Sequence, residues 1–161
     1  MNYKKLQVVG ICLSLLTLSG CASATTSSDA TWIEGPCSQS KPGVTLSIDY
    51  LGEVTTHCAL NYSGNGWNLF EAAGFTVKGT AKYPTAFACQ IDGKPQATKC
   101  DDSGSTGAYW GYYIALNGKW DYATTGASDH KSTCGTHEGW VFMETENTEL
   151  HLPTPAEFVC N

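Results

Sequence analysis

The sequence predicts an α+β fold, in which a mostly antiparallel, disulfide-stapled sheet is crossed by one short helix. Three observations lead to this prediction. Asn117-Gly118 separates two aromatic runs, and this dipeptide is typical of a tight hairpin because both residues accept positive φ. Residues 44–51 alternate apolar and polar side chains, which indicates a half-buried strand. Residues 67–73 are rich in helix formers, and Gly74 is placed to end that helix.

The remaining elements are predicted from local signals along the chain. After the first strand, residues 53–60 return as its partner, and the helix then has to dock onto the sheet because two turns are not stable alone. Residues 75–80 and 86–91 are the next strands, and 94–100 can return beside the latter. The aromatic hairpin comprises 110–116 and 120–124, and a short last strand covers 139–142.

The first 20 residues have the layout of a lipoprotein signal peptide. Lys4 and Lys5 precede an apolar run over 8–18, which is shorter than the roughly 20 residues of a membrane span. The run ends in Leu-Ser-Gly-Cys, which resembles a bacterial lipobox. We therefore expect acylation of Cys21 with palmitate-type chains and anchoring on the extracytoplasmic side of the cell membrane. Ordinary secretion with Cys21 as a free thiol is the alternative.

The mature chain divides into three parts. Residues 21–31 are small and polar and are expected to form a flexible tether. Residues 32–143 form the domain, and 144–161 form an acidic C-terminal tail that a disulfide pins. The sequence has no arginine, and after Cys21 seven lysines face fifteen acidic residues, a net charge of −8. This balance argues against a nucleic-acid partner, because phosphate binding needs clustered lysine and arginine.

Six cysteines remain in the mature chain, and an even number in an exported domain indicates three disulfides. Fifteen pairings are compatible with six cysteines. Zinc binding is the competing interpretation, but the chain has no C-x-x-C and no Cys/His knuckle at ligand spacing. Nearest-neighbour pairing closes a short loop around each candidate hairpin. It predicts the bridges Cys37–Cys58, Cys89–Cys100 and Cys134–Cys160.

Several blocks of sequence resemble a known family. GWNLFEAAGF over 66–75, FACQIDGKP over 87–95 with Cys100, and EGWVF over 138–142 resemble small exported actinobacterial domains. More loosely, their order with the aromatic hairpin is similar to the C-terminal domain of transcobalamin and intrinsic factor. The resemblance implies a β-grasp fold of the soluble-ligand-binding kind, cobalamin or a related cofactor as ligand, and a membrane uptake transporter as partner. The chain departs from that pattern in its acidic tail and in Cys134 and Cys160.

The aromatic hairpin supplies the candidate ligand site. Alternation along the strands places Tyr109, Tyr113, Trp120 and Tyr122 where they can line a groove for a flat or ring-shaped ligand. Gly111 strengthens this interpretation, because a glycine among aromatics often marks the close approach of a ligand or of another backbone. The alternative is that these aromatic side chains belong to the hydrophobic core.

The sequence predicts neither catalysis nor a metal centre. It has no G-x-S-x-G, H-E-x-x-H or phosphate-loop motif, and paired cysteines leave no thiol nucleophile. His130 and His137 share a polar stretch with Asp129 and Glu138; a metal site there is the alternative to a solvated loop. No resident cofactor is predicted.

Together these features predict a lipid-anchored extracytoplasmic binding module, with cobalamin or a related small cofactor in uptake as the suggested ligand. The alternative is a structural or protein-interaction lipoprotein of the cell envelope without a small-molecule ligand. We expect the domain to be a monomer.

Overall fold

The computed structural model describes residues 31–96, 100, 107–144 and 148–160. The signal peptide, Cys21 and most of the tether lie outside these residues, so those predictions are not tested. The elements in chain order are β1 (Trp32–Glu34), β2 (Gly43–Tyr50), β3 (Glu53–Leu60), β4 (Gly64–Asn65), α1 (Leu69–Ala72), β5 (Val77–Gly79), β6 (Ala88–Ile91), β7 (Tyr109–Leu116), β8 (Lys119–Tyr122), β9 (Lys131–Ser132) and β10 (His137–Met143). No helix of the described part is long and apolar enough to cross a membrane.

A six-stranded sheet with the order β1-β3-β2-β10-β7-β8 forms the centre of the domain. All neighbouring strands are antiparallel except β2 and β10, which run parallel. The last strand therefore lies beside the first long strand, between two hairpins. Because successive side chains alternate, the register gives the sheet two distinct faces.

The first face carries the main core. Val44, Leu46 and Ile48 of β2 lie level with the inward side chains of β10 and β7. Aromatic rings dominate the latter group, and the Tyr112 and Trp140 rings stack with centroids 4.8 Å apart. Three smaller elements lie on this face: the short helix, the β5–β6 hairpin and the β4–β9 pair. The side chains packed there are those of Leu69, Phe70, Ala73, Phe75, Ala88 and Ile91.

The predicted α+β, β-grasp-like fold with a crossing helix is wrong, because the chain has a mostly-β fold. The helix comprises only Leu69–Ala72. Residues Gly64–Asn65, just before the predicted helix, pair with Lys131–Ser132 as short strands. The Trp67 N–H also bonds to a distant part of the chain, donating to the Ala127 carbonyl at 3.3 Å. Phe70 and Ala73 are nonetheless fully buried, as expected for a docked turn.

The β2–β3 and β7–β8 hairpins are confirmed with small shifts in their boundaries. Asn117 and Gly118 have φ of 51° and 70°, as the expected turn requires. The predicted strand over 75–80 is reduced to Val77–Gly79. Over 94–100, Lys94 makes an isolated bridge with Ile91 and no named strand follows among the described residues.

Three disulfides join Cys37 with Cys58, Cys89 with Cys100, and Cys134 with Cys160. These are the pairs that nearest-neighbour closure predicts. The first links the loop before β2 to β3, and the second joins β6 to the segment that follows it. The third joins the loop before β10 to the C-terminal end, so that the tail is covalently held against the sheet. The chain-entropy estimate assigns roughly 2–4 kcal/mol to each.

The prediction of a half-buried β2 is also wrong. Thr45, Ser47 and Asp49 on its second face are as buried as the apolar residues on its first face. Their polar groups are satisfied within the fold: Thr45 Oγ1 accepts from the Cys37 N–H at 2.9 Å, and Asp49 Oδ1 accepts from the Gly52 N–H at 2.8 Å. The second face of the sheet centre is therefore covered as well.

Candidate functional site

The four aromatic residues predicted to bind a ligand lie on one face of the β7–β8 hairpin. Tyr113 pairs with Tyr122 and Ala115 with Trp120, while Tyr109 lies four residues before Tyr113. Side chains an even number of residues apart on a strand share a face. Tyr109, Tyr113, Trp120 and Tyr122 consequently form one surface on the second face of the sheet, which we name the aromatic platform.

Two tyrosines of the platform, Tyr113 and Tyr122, meet over Gly111. The Tyr113 and Tyr122 rings meet edge to face with centroids 5.3 Å apart. A Cβ atom at Gly111 would lie 3.2–3.3 Å from both the Tyr113 and the Tyr122 ring. The glycine thus makes room for these rings. Burial, followed by the neighbouring Tyr109, raises the pKa of both Tyr113 and Tyr122.

Exposure divides the platform into an inner and an outer half. Tyr113 is 7% exposed and packs with Val141 and Met143, whereas Trp120 is half-buried against the same cluster. Tyr109 and Tyr122 are 43% and 54% exposed. The inner pair thus serves as core, and the outer pair presents aromatic surface to solvent at the β8 edge of the sheet.

The C-terminal residues 148–160, which we name the strap, cross the second face beside the platform. The His151 backbone N–H donates to Asp49 Oδ2 at 2.8 Å, and the His151 ring lies 3.3 Å from the same oxygen. Farther along, the Trp120 indole Nε1–H donates to the Pro153 carbonyl at 2.9 Å. The strap therefore spans from β2 to β8 and covers the hairpin-tip side of the platform.

The far end of the strap returns to the start of β10. Burial lowers the pKa of His137, while the nearby Ala156 backbone acts in the opposite direction. The Phe158 ring lies 6.3 Å from the His137 ring, and Cys160 closes the path through its disulfide to Cys134. The pinned acidic tail of the sequence prediction is thus a cover for the sheet.

A second cluster of polar groups is enclosed on the first face. Glu138 of β10 is fully buried, and its Oε2 accepts a hydrogen bond from the Tyr112 hydroxyl at 2.6 Å. His130 Nε2 lies 3.5 Å from Oε1 of the same carboxyl group. Burial raises the pKa of Glu138, while the Ser132 and Tyr112 hydroxyls and the His130 ring act in the opposite direction.

The backbone at Gly66 closes this cluster from outside. A Cβ there would lie 2.5 Å from the Tyr112 hydroxyl and 2.7 Å from Glu138 Oε2, so only glycine fits. The sequence predicts a loop at Glu138, so this enclosed carboxyl was not expected. Its alternation with Trp140 and Phe142 was the signal, since these three residues share one strand face.

The histidines proposed as metal ligands are not brought together. His137 and Glu138 are consecutive residues of β10 and therefore face opposite sides of the sheet. His130 accompanies Glu138 on the first face, whereas His137 faces the strap. No group of three or more His, Cys, Asp and Glu side chains suited to a metal occurs within the described residues.

An open cleft of about 320 Å³ lies beside the short helix, and its lining comprises Trp67, Asn68, Glu71, Phe75, Thr76 and Val77. Sites for drug-sized ligands usually occupy about 300–1,000 Å³. This cleft is at the lower limit of that range and cannot enclose a corrinoid. A ring ligand of that size would have to bind on an open surface such as the platform.

No protein-family model, curated protein or solved structure matches this chain.

Proposed function

We propose that the chain is a lipid-anchored extracytoplasmic binding module that holds a flat or ring-shaped small ligand of the cobalamin type on its aromatic platform. The observation that carries this proposal is the exposure of Tyr109 and Tyr122 on the same face as Tyr113. Two exposed tyrosines offer both a stacking surface and hydrogen-bonding hydroxyl groups. A ligand bound there would contact one face of its ring system and leave the other accessible.

The compartment proposed here rests on two features. Three disulfides are expected of a chain that folds in an oxidising environment outside the cytoplasm. The export signal and Cys21 add the lipid anchor, with the membrane as one partner and an uptake transporter as a second. A binding role is preferred to a catalytic one because Glu138, whose pKa burial raises, is fully enclosed.

The platform favours neutral or cationic ligands over anionic ones. The sequence has no arginine, and its acidic residues outnumber its lysines. A carboxylate- or phosphate-rich ligand would therefore meet a net negative field without the planar guanidinium groups that clamp such anions. Stacking on tyrosine rings requires no charge on the ligand.

Titration of the protein with corrinoids and other planar cofactors tests this proposal. We expect ligand to change the tryptophan fluorescence, because Trp120 belongs to the platform. A ligand at 100 times its dissociation constant should raise the free energy of unfolding by about 2.7 kcal/mol. Tyr109→Ala and Tyr122→Ala should weaken binding, whereas Tyr83→Ala, which removes an exposed tyrosine of the β5–β6 connection, should not. Equal weakening by all three changes would contradict the assignment of the site.

A protein-interaction lipoprotein is the second candidate, and the strap favours it. The strap covers Trp120 and leaves only the outer tyrosines free, which limits the area left for a large ring. A photo-crosslinker at Tyr122 should then capture an envelope protein in cells, while the same group at Tyr83 should not. Crosslinks from both positions, or from neither, would argue against a docking surface at the platform.

A further inference from the structure

The open cleft beside the short helix combines aromatic walls with a carboxylate. Trp67 and Phe75 supply the rings and Glu71 of α1 supplies the charge, around a volume of about 320 Å³. The Phe75 ring is almost fully buried, Trp67 is half-buried, and Glu71 is exposed. A ligand from solvent therefore reaches the carboxylate directly and meets the rings in the less exposed part of the cleft.

Packing against the core holds both rings of the cleft in place. The Phe75 ring stacks on the His57 ring with centroids 4.4 Å apart, and the His57 ring also stacks on that of Trp32 at 4.2 Å. The Trp67 ring meets the Trp140 ring edge to face with centroids 6.5 Å apart. Because these contacts orient the rings before a ligand arrives, binding orders few side chains and loses little conformational entropy.

The surroundings of the cleft are acidic. Thr76, a further lining residue, donates to Asp92 Oδ1 through both its backbone N–H and its hydroxyl, so a second carboxylate is held beside the cleft. Within the described residues no lysine lines the cleft. Lys78 follows the lining residue Val77 in β5 and therefore lies on the other side of that strand. This arrangement attracts a cation and repels an anion.

Aromatic rings and carboxylates together are the groups that recognise organic ammonium ions. The negative face of an aromatic ring attracts a cation, and tryptophan is the strongest partner of this kind. A carboxylate adds charge pairing, while the alkyl groups of the ammonium ion pack against the rings. A volume of about 320 Å³ suits an ion with only a few carbon atoms.

We propose that this cleft is a second binding site of the chain, specific for a small organic ammonium ion that contacts the Trp67 and Phe75 rings and pairs with Glu71. The helix lies on the first face of the sheet and the aromatic platform on the second. The inference therefore goes beyond the proposed function and does not depend on it. Asn68, whose side chain makes no capping hydrogen bond, lines the cleft where it can bond a polar group of the ligand.

Choline and tetramethylammonium are the probes, each titrated into the full chain while the indole N–H resonance of Trp67 is followed by NMR. We expect a saturable shift with both ions. The neutral isostere of choline, in which a quaternary carbon replaces the nitrogen, should bind about tenfold more weakly, because it loses both the cation–π attraction and the charge pairing. Potassium chloride at the same concentrations controls for ionic strength and should give no saturable shift.

Two variants that each remove one negative charge separate the cleft from the field of the whole protein. Glu71→Gln changes the cleft, whereas Glu157→Gln changes the strap on the second face of the sheet. Both side chains are exposed, so neither change disturbs the core. We expect Glu71→Gln to weaken choline binding about fivefold and Glu157→Gln to leave it unchanged. In Trp67→Phe, with the Thr76 amide resonance as the readout, binding should also weaken.

A shift that does not saturate, or one that potassium chloride reproduces, would overturn the inference. Equal binding of choline and its neutral isostere would overturn it as well, because the cleft would then recognise apolar shape alone. Equal weakening by Glu71→Gln and Glu157→Gln would assign the effect to net charge and remove the specific site. Failure of this site leaves the aromatic platform untouched, since corrinoids and other planar ligands are tested there separately.

Discussion

Tyr112→Phe tests the enclosed carboxyl cluster directly. The change removes the hydroxyl that donates to Glu138 Oε2 at 2.6 Å. It keeps the aromatic ring, which stacks on Trp140 with centroids 4.8 Å apart. Because the shape of the core is preserved, the loss of stability should report the hydrogen bond and the state of the carboxyl group, with little contribution from a cavity.

The stability lost in the Tyr112→Phe protein depends on pH. With Glu138 protonated, the bond is between neutral groups and its loss should cost about 1 kcal/mol. With Glu138 ionised, the loss leaves a buried charge with one partner fewer, and about 3 kcal/mol is expected. Burial raises the pKa of Glu138 in the folded state, so folding favours the protonated carboxyl. The protonated Glu138 therefore stabilises the fold fully at pH values below 4.5, the usual pKa of a glutamate. This stabilisation is lost as the pH rises through the higher pKa of Glu138 in the folded state. Removal of the Tyr112 donor raises that pKa further and enlarges the loss.

Urea unfolding followed by tryptophan fluorescence at about pH 4 and pH 8 measures these differences. Glu138→Gln is the matched control, because an amide cannot ionise and its chain should show a smaller decline with pH. A destabilisation by Tyr112→Phe that is the same at both pH values would refute the reasoning. So would a double-mutant cycle with Glu138→Gln that shows no coupling.

Three further changes test other parts of the structure. Gly74→Ala should lower the free energy of unfolding by about 1–3 kcal/mol, because its φ is 78° and a Cβ would lie 2.3 Å from the Trp32 indole. Gly93→Ala is the control, because its φ is 72° but a Cβ there would meet open space, and thermal unfolding should show a smaller loss of stability. Trp120→Phe should cost about 1 kcal/mol in urea unfolding through the lost indole donor, and an unchanged stability would argue against the strap contact. Cys134→Ser should cost about 2–4 kcal/mol and speed hydrogen exchange in the strap, whereas uniform exchange changes would contradict a local role.

The hairpins could be predicted from sequence because their signals are local. Asn117-Gly118 determines both the turn and the register of β7 and β8, and their alternation then places the platform aromatics on one face. The pairing of Gly43–Tyr50 with Glu53–Leu60 is likewise fixed by a turn of two residues. In each case the information lies within about 20 residues of chain.

The helix was overpredicted because its competitor is remote in sequence. Residues 67–73 have suitable propensities, but the Trp67 N–H donates to the Ala127 carbonyl, far along the chain. Gly74 ends the helix after Leu69–Ala72. Propensity is a weak preference that tertiary pairing overrides. No sequence pattern near the helix identifies this distant partner.

The strap also escaped prediction for a physical reason. Thr45, Ser47 and Asp49 form the polar side of an alternating strand, which normally indicates a wet face. Hydrogen bonds make the same residues suitable for burial under a polar segment, as the bond from the His151 N–H to Asp49 shows. The alternation of apolar and polar residues shows that one face of the strand is polar. It does not show whether water or a polar segment of the chain covers that face. The Trp120 contact with the strap was hidden for the same reason.

The most direct test of the proposed function is a fluorescence titration of the full chain with a panel of corrinoids and planar cofactors, repeated with Tyr122→Ala and with the Tyr83→Ala control. We expect saturable binding to the unchanged chain and to the control, and at least tenfold weaker binding to the Tyr122→Ala protein. The absence of a response across the panel, or equal binding by all three proteins, would contradict a small-ligand site on the aromatic platform.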